Sequence, residues 1–258
     1  MNDIFWLDEG AGRAVVLLHG GFLDHHMWDD QVPALAADHR VIAPDARGHG
    51  RSANAAAPFR PADDVAALLR HLDAGPAVLV GVSMGAGVAV DTALEHPGMV
   101  RGLVVTGAGT SEPYFTDPWT VETLAAWTAA MAAGDLDASV ERFVRLGTGP
   151  YRAPGDVDAG VMARQRGMAR ATMAKHAAGE PDPITPVTGT WERAAGITVP
   201  VLAVHGALDS PDHIGMAERL AGSVPDGRTV TIDGTAHYPN MERPGAYNAV
   251  VRDFLGTL

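Results

Sequence analysis

The residues Val80-Gly81-Val82-Ser83-Met84-Gly85-Ala86-Gly87 decide the fold of this chain. They contain a G-x-S-x-G motif that follows the apolar run Ala77–Gly81 and begins the helical stretch Met84–His96. A serine on such a sharp turn needs small neighbours, because a Cβ atom at Gly81 or Gly85 would crowd the strained backbone. The pattern predicts that the Ser83 hydroxyl lies at the carboxyl end of a parallel sheet, where it can act as a nucleophile. The alternative is a glycine-rich turn whose serine only caps the helix.

A serine hydroxyl is a weak nucleophile at neutral pH, so this interpretation requires a histidine base and a carboxylate that orients it. Both are expected after Ser83, each just past the end of a later strand. Asp209 follows the apolar run Val199–His205, and His237 follows the run Thr229–Ile232. Since parallel strands end at the same edge of a sheet, Asp209 and His237 are predicted to lie beside Ser83 as acid and base.

Nearby residues of the same types have other interpretations. Asp212 lies closer to the following helix than Asp209 does and is interpreted as a helix cap or a first-turn charge. His205 lies within a strand and is expected to be a buried, hydrogen-bonded core residue. The following histidines occupy predicted loops or polar helix positions that need no special role: His25, His26, His39, His71, His96, His176 and His213.

A tetrahedral intermediate on Ser83 would also need backbone donors for its oxyanion. One is expected from the amide of Met84, directly after the nucleophile. The other is expected from the loop after the strand Ala14–Leu18, where Gly21 is the first choice and Phe22 the alternative. His19, in the same loop, is interpreted as a structural hydrogen-bonding residue.

The composition excludes several classes of protein. The chain has 258 residues, 47% of them hydrophobic and 19% charged, which is typical of one folded domain with a sizeable core. A formal net charge of −12, with Lys175 as the only lysine, disfavours binding to nucleic acid. The absence of cysteine excludes disulfides, thiolate zinc sites and a cysteine nucleophile. No pair of histidines has the spacing of a metal site, so we predict neither a metal nor a cofactor.

The N-terminal residues lack the basic and apolar regions of a secretory signal, and no window approaches the ~18 apolar residues of a membrane helix. The expected location is therefore cytoplasmic. The expected partner is a small-molecule substrate, with no nucleic acid and no membrane.

Short apolar runs alternate with longer amphipathic stretches, which is typical of an α/β fold with a parallel sheet. This alternation breaks between about Thr110 and Gly196, where no strand is predicted. Residues 1–109 and 198–258 are accordingly interpreted as one core domain, and residues 110–197 as a helical insertion. The predicted strands are Ala14–Leu18, Val41–Ala43, Ala77–Gly81, Gly102–Thr106, Val199–His205 and Thr229–Ile232. The predicted core helices are Asp30–Ala37, Pro61–Asp73, Met84–His96, His213–Ala221 and Pro244–Phe254.

Five motifs in order resemble those of the alpha/beta-hydrolase family over essentially the whole chain. They are His19-Gly20-Gly21, Asp45-Ala-Arg-Gly-His-Gly-Arg-Ser52, Gly81-Val-Ser-Met-Gly85, Gly206-Ala-Leu-Asp209 and Ala236-His-Tyr-Pro-Asn-Met-Glu-Arg-Pro244. The resemblance implies a mostly parallel, eight-stranded sheet flanked by helices, with a helical cap inserted after the sixth strand. It also implies scaffold roles for Asp45, Arg47, His49 and Ser52.

Within the family, the chain is similar to 3-oxoadipate enol-lactonases, small carboxylesterases and cofactor-free perhydrolases. Ser83 argues against epoxide hydrolases and haloalkane dehalogenases, which place an aspartate at this position. Val82 departs from the asparagine common in C–C bond hydrolases. The resemblance implies a serine hydrolase that cleaves a carboxylic ester or lactone. The alternatives are a C–C bond hydrolase or perhydrolase with the same three residues, and a non-catalytic ligand receptor.

Bulky residues near the predicted site and in the insertion are candidates for the pocket wall. Beside Phe22 and Met84, they are Trp28, Tyr114, Phe115, Trp119, Trp127 and Tyr238. Trp119 and Trp127 lie on one face of a predicted helix, which favours packing onto the main domain. Arginines 142, 145, 164, 166 and 170 are interpreted as a solvated helix surface. We therefore expect an uncharged or amphipathic ester or lactone.

Overall fold

The computed structural model of the protein describes residues 3–177 and 180–258. Seven strands form one sheet in the order β1-β3-β2-β4-β5-β6-β7. β1 pairs with β3 in the antiparallel direction, and all other neighbours are parallel. The strands are β1 (Trp6–Glu9), β2 (Ala14–Leu18), β3 (Arg40–Pro44), β4 (Ala77–Val82), β5 (Val100–Thr106), β6 (Val201–Gly206) and β7 (Gly227–Ile232).

The central strands form because almost every side chain in them is apolar and buried, on both faces of the sheet. Val15 and Leu17 of β2 contribute to one hydrophobic core, and Val16 and Leu18 contribute to the other. The predicted α/β class with a largely parallel sheet is therefore confirmed.

The expectation of eight strands is wrong, because the described residues form a sheet of seven. One of the seven, β1, was not predicted. Its sequence Trp6-Leu-Asp-Glu9 is half polar, and it lies half-exposed at the sheet edge, so its pattern does not resemble a buried strand. The predicted helical insertion was expected after the sixth strand. In the structure, the long segment without a sheet strand follows the fifth strand.

Helices cover both faces of the sheet. Residues of α2, α3 and α8 pack into the core on one face, and residues of α1 and α10 pack into the core on the other. The predicted helix at Asp30–Ala37 is only four residues long, whereas the other core helices agree with prediction to within two residues at each end. The helices are α1 (Val32–Leu35), α2 (Pro61–His71), α3 (Met84–Glu95), α4 (Pro118–Ala132), α5 (Leu136–Thr148), α6 (Ala159–Met173), α7 (Thr190–Arg193), α8 (Pro211–Ser223), α9 (Pro239–Glu242) and α10 (Pro244–Leu255).

Helices α4 to α7 occupy the segment between β5 and β6. Aspartate side chains at positions 117, 135 and 158 cap the first turns of α4, α5 and α6 by accepting backbone N–H groups. Trp127 of α4 and Phe143 of α5 contact the ring of Phe22, with centroids 5.3 and 5.7 Å away. These helices therefore pack over the loop that follows β2.

The division of the chain into domains stays a prediction. Residues 1–2 of the predicted core and 178–179 of the predicted insertion lie outside the described residues. Within the described ranges, no helix has the length and apolar character needed to span a membrane.

Candidate active site

Ser83 lies on the turn between β4 and α3. Its backbone has φ 54° and ψ −116°, a left-handed conformation that non-glycine residues rarely adopt. A Cβ atom at Gly81 would lie 2.2 Å from the Gly85 carbonyl oxygen, and one at Gly85 would lie 2.1 Å from the Leu18 carbonyl oxygen. Glycine on both sides is thus a steric requirement of this turn, as the motif predicts.

Asp209 and His237 come together from two loops at the carboxyl edge of the sheet. Asp209 follows β6, His237 follows β7, and the two loops are joined by the Leu208 amide, which donates to the Thr235 carbonyl at 2.9 Å. His237 Nδ1 donates to Asp209 Oδ2 at 2.9 Å, and both side chains are buried. The tertiary structure therefore pairs the residues that the sequence predicts as acid and base.

The surroundings of this pair determine its charge states. Burial alone would raise the pKa of Asp209, but the imidazoles of His237 and His213 and their hydrogen bonds outweigh it and hold that pKa well below its usual range. Burial lowers the pKa of His237, an effect that the carboxylate of Asp209 opposes. The arrangement is an ionised carboxylate beside a neutral imidazole, whose Nδ1–H points to the carboxylate and whose Nε2 is unprotonated.

Ser83 and His237 both adjoin the carboxyl end of β5. The Ser83 amide donates to the Thr106 carbonyl at 2.7 Å. The next residue, Gly107, lies against the imidazole, since a Cβ atom there would be 2.6 Å from His237 Cε1. Among the described residues, the side chain of His237 is hydrogen-bonded to Asp209, and no hydrogen bond joins it to the Ser83 hydroxyl. Hydrogen bonds of this kind are often long in enzymes without substrate.

His213 is the residue at this site that sequence reasoning missed. It is buried, and its Nδ1 lies 3.1 Å from Asp209 Oδ1. Its ring centroid lies 4.2 Å from that of His237. A signal was present in the sequence, because His213 follows Asp209 by four residues across a Ser-Pro helix start, and an N-terminal helical turn brings such residues together.

The residues interpreted as structural have structural contacts. Asp212 lies in the first turn of α8 and accepts the amides of Thr116 and Asp117, each at 2.8 Å. His205 is buried, with Nε2 2.8 Å from Thr231 Oγ1. The Ala46 amide donates to His19 Nε2 at 2.9 Å, and His19 Nδ1 lies 2.8 Å from the Gly20 carbonyl oxygen.

The motif that begins at Asp45 has contacts of the same kind. Asp45 is fully buried and accepts the amides of His25 and Arg51, each at 2.8 Å. Arg47 donates to Asp64 at 2.7 Å, and the Ser52 hydroxyl donates to the Asp45 carbonyl at 2.7 Å. Arg47 and His49 also line a cleft beside Met84. Burial lowers the pKa of His49 to about 3, so its imidazole is neutral at physiological pH.

The two candidate oxyanion segments are neighbours. A Cβ atom at Gly21 would lie 3.8 Å from the Met84 Cβ atom. Met84 is the first residue of α3, where backbone N–H groups have no acceptor within the helix. Phe22 has a φ of 56°, a second strained conformation at the same edge of the sheet. Met84 and the Gly21-Phe22 segment are therefore neighbours beside the Ser83 turn, and oxyanion binding by their amides stays a prediction.

A cleft of about 620 Å³ opens beside these residues. Gly21, Phe22 and Met84 line it on the core side, and Met131 and Leu136 line it from the insertion. Trp127 contacts Phe22 from α4. This cleft is large enough for a small organic molecule, and Met84, the residue after Ser83, lies in its wall.

The other predicted pocket residues are not among those that line this cleft, although Tyr238 and Phe115 pack on the histidines of the site. Trp28 has no exposed surface and packs in the core near Tyr247, with centroids 6.4 Å apart. Tyr114 is 39% exposed and packs on Trp191. Phe115 packs on His213, the guanidinium of Arg145 covers the Trp119 ring, and Tyr238 is buried against Gly147. These residues do not line the described cleft, because their rings are used in packing within the protein.

The arginines of the insertion are engaged with partners in the chain. Arg164 pairs with Asp30 at 3.1 Å, Arg166 pairs with Glu141 at 2.7 Å, and Arg170 pairs with Asp137. Arg145 donates to the Gly149 carbonyl at 2.6 Å. Four of the five arginines singled out above thus have partners, which weakens any role as a clamp for an anionic substrate.

Two groups of described side chains bring three possible metal-binding atoms within 4.8 Å of one another: Asp24, His25 and His26, and Asp209, His213 and His237. In the second group the Nδ1 atoms of both histidines face Asp209 at hydrogen-bond distance. A proton between nitrogen and oxygen accounts for this geometry. The expectation that the protein needs no metal stays a prediction.

Comparison with known proteins agrees with this architecture. Residues 13–244 match the family model described as alpha/beta hydrolase fold. A pimeloyl-[acyl-carrier protein] methyl ester esterase from Yersinia enterocolitica is 30% identical over 270 residues, covering 98% of each chain.

Two solved structures are also similar. Est816, described as an N-acyl homoserine lactone degrading enzyme, has a TM-score of 0.77 at 26% identity, covering 97% of this chain and 96% of its own. The enol-lactonase from Burkholderia xenovorans has a TM-score of 0.70 at 25% identity, covering 98% and 96%. The resemblance inferred from the motifs is confirmed, and the chain belongs to the family of proteins with the alpha/beta hydrolase fold.

Proposed function

We propose that this protein hydrolyses a carboxylic ester or lactone through an acyl-enzyme on Ser83, with His237 as general base and Asp209 as the carboxylate that orients it. The main supporting observation is the buried 2.9 Å hydrogen bond from His237 Nδ1 to Asp209. The His237 imidazole lies at the end of β5, beside the Ser83 turn. This bond leaves Nε2 as the unprotonated atom of the ring, which is what a general base requires.

The reaction proceeds in two halves. Ser83 Oγ attacks the substrate carbonyl carbon while His237 Nε2 takes the hydroxyl proton, and Asp209 stabilises the resulting imidazolium. The amides of Met84 and Gly21, or of Phe22 in place of Gly21, donate to the oxyanion. The imidazolium then protonates the departing alkoxide oxygen as the ester C–O bond breaks. In the second half, water gives a proton to His237 and attacks the acyl carbon, and Ser83 regains its proton as the carboxylic acid leaves.

The cleft supports an uncharged or amphipathic substrate. Phe22, Met84, Met131 and Leu136 give the cleft an apolar wall next to the Ser83 turn. Arg47, which also lines the cleft, is paired with Asp64, and the arginines of the insertion are largely paired with carboxylates. The relatives named as an esterase and as a lactone-degrading enzyme support the same reaction class. The insertion between β5 and β6 would act as the cap that closes this cleft, with the predicted limits 110–197.

Two measurements test the proposal. The first is intact-protein mass after incubation with a fluorophosphonate, and the second is turnover of p-nitrophenyl acetate and butyrate. We compare the wild type, Ser83→Ala, and Ser223→Ala as a matched control, since the Ser223 hydroxyl donates to the Arg219 carbonyl at an exposed helix end.

The wild type and the control should each gain one adduct and turn over both esters. Ser83→Ala should gain none and lose several orders of magnitude in turnover. A Ser83→Ala protein that is still labelled, or that keeps wild-type turnover, contradicts the proposal. A wild type that binds but does not hydrolyse esters would favour the ligand-receptor alternative.

A further inference from the structure

Two histidines share one buried carboxylate at this site. His237 Nδ1 lies 2.9 Å from Asp209 Oδ2, and His213 Nδ1 lies 3.1 Å from Asp209 Oδ1. Oδ1 also accepts the Ser210 amide at 2.7 Å. The mechanism proposed above uses Oδ2 and leaves the contact of His213 without a role.

The position of His213 is closely determined. Ser210 caps α8, and its hydroxyl lies 2.9 Å from His213 Nδ1. The His213 ring lies between two other rings, His237 with a centroid distance of 4.2 Å and Phe115 with one of 5.7 Å. This imidazole is therefore held on three sides, with its Nδ1 directed at the carboxylate.

Few charged groups face His213. From the loop after β6 it faces Asp209, and from the loop after β7 it faces His237. On its own helix the neighbouring Asp212 is occupied by the amides of Thr116 and Asp117, and the insertion contributes the uncharged ring of Phe115. The two imidazoles are thus both hydrogen-bonded to one carboxylate.

We propose that His213 is a positioning residue that holds the Asp209 carboxylate by Oδ1, so that Oδ2 stays aligned with His237. The inference rests on the proposed function. When His237 becomes an imidazolium during catalysis, Asp209 must keep its orientation, and a donor on Oδ1 resists rotation of the carboxylate. Burial lowers the pKa of His237, and the neighbouring His213, with its ring centroid 4.2 Å away, adds to this lowering.

Two substitutions separate the parts of this role. His213→Asn keeps a donor, because the amide nitrogen of asparagine and Nδ1 of histidine are both bonded to Cγ, but it removes the imidazole beside His237. His213→Phe keeps a ring against Phe115 and His237 but removes the donor. His71→Asn, at an exposed position of α2, is the matched control.

The measurements are p-nitrophenyl acetate kinetics and the rate of fluorophosphonate labelling, each from pH 4.5 to 9. His213→Asn should keep kcat at pH 8 within about threefold of the wild type, while His213→Phe should lose between about tenfold and a hundredfold in kcat with little change in KM. In both variants the acidic limb of the profile should move to higher pH, because His213, one cause of the lowered pKa of His237, is then absent. The control should match the wild type.

The results distinguish this inference from the proposed function. If the wild type is not labelled at any pH, the proposed function fails. If the wild type is labelled but both variants share its acidic limb, or His213→Asn loses as much kcat as His213→Phe, the role of His213 is wrong. Thermal unfolding checks that each variant is folded. If His213→Phe does not fold, the acidic limb of the His213→Asn profile tests the role of His213 alone. Replacing a histidine that is only structural would not shift that limb.

Discussion

Gly107 lies directly against the imidazole of His237, where a Cβ atom would be 2.6 Å from Cε1 and 2.7 Å from Nδ1. Gly107 also has a φ of 64°, which disfavours any side chain. The proposed base, His237, thus contacts the backbone directly after β5. The last residue of that strand, Thr106, accepts the Ser83 amide with its carbonyl.

Gly107→Ala is expected to lower kcat by about tenfold to a hundredfold, because displacing a reacting group by about 1 Å costs on that order. Ester kinetics and a thermal unfolding curve provide the measurement. Gly98→Ala is the control, since a Cβ atom there has no neighbour within 4 Å. Unchanged kcat in folded Gly107→Ala would show that the imidazole can move without loss of function.

The ion pair of Arg152 and Glu242 should stabilise the loop that carries His237. The two side chains are buried and lie 2.7 Å apart, and Glu242 also accepts the Ala236 amide at 3.0 Å. Arg152→Met leaves a buried carboxylate without its partner, which is expected to lower the free energy of unfolding by about 3–5 kcal/mol.

Urea denaturation measures this effect in Arg152→Met, Glu242→Gln and the double variant. The double variant should lose less free energy of unfolding than the two single variants together, because it contains no buried charge without a partner. Additive losses would mean that the two side chains stabilise the fold independently.

Lys175, near the end of α6, should attach the insertion to the core. Its Nζ donates to the carbonyls of His49, Gly50 and Ser52 at 3.3, 3.1 and 2.6 Å. Lys175→Met leaves these carbonyls without their charged donor, so we expect a loss of about 1–3 kcal/mol in the free energy of unfolding. Arg142→Met, at an exposed position of α5, should change stability little. Equal effects of the two substitutions in urea denaturation would contradict this role.

Asp91 should make the protein less stable as the pH rises. It is buried, accepts the Ser111 hydroxyl at 2.7 Å, and burial raises its pKa to about 6. Because this pKa lies above that of the unfolded chain, the folded protein holds the proton more tightly between about pH 4 and 6. The contribution of Asp91 is therefore favourable below that window and is lost as the pH rises through it.

Asp91→Asn is expected to raise the free energy of unfolding by about 1–3 kcal/mol at pH 8 and by little at pH 4.5. Urea denaturation at the two pH values provides the test. The same gain at both would mean that ionisation of Asp91 is not the cause.

The local sequence pattern predicted the elements whose own residues form a distinctive run or turn. The buried strands β2, β4 and β6 are continuous apolar runs, and the glycines at 81 and 85 are required by the turn that they flank. The edge strand β1 was missed because a half-polar strand at the rim of a sheet lacks such a run.

Aromatic residues show the limit of this reasoning. Trp28 and Trp127 were both predicted to wall a pocket, yet Trp28 is completely buried in the core and Trp127 packs on Phe22 beside the cleft. A large aromatic ring can be placed either in the core or in the wall of a pocket. The packing of distant segments decides which of the two it occupies.

The sequence by itself determined the order of strands β2 to β7 and of the long core helices, the strained turn at Ser83, and the placement of Asp209 and His237 after successive strands, because each follows from spacing over a few residues. Only the tertiary structure decided that His213 packs on His237 and that Gly107 lies against His237. Those contacts depend on loops from separate parts of the chain meeting at one edge of the sheet, within distances that pairwise spacing along the sequence does not specify.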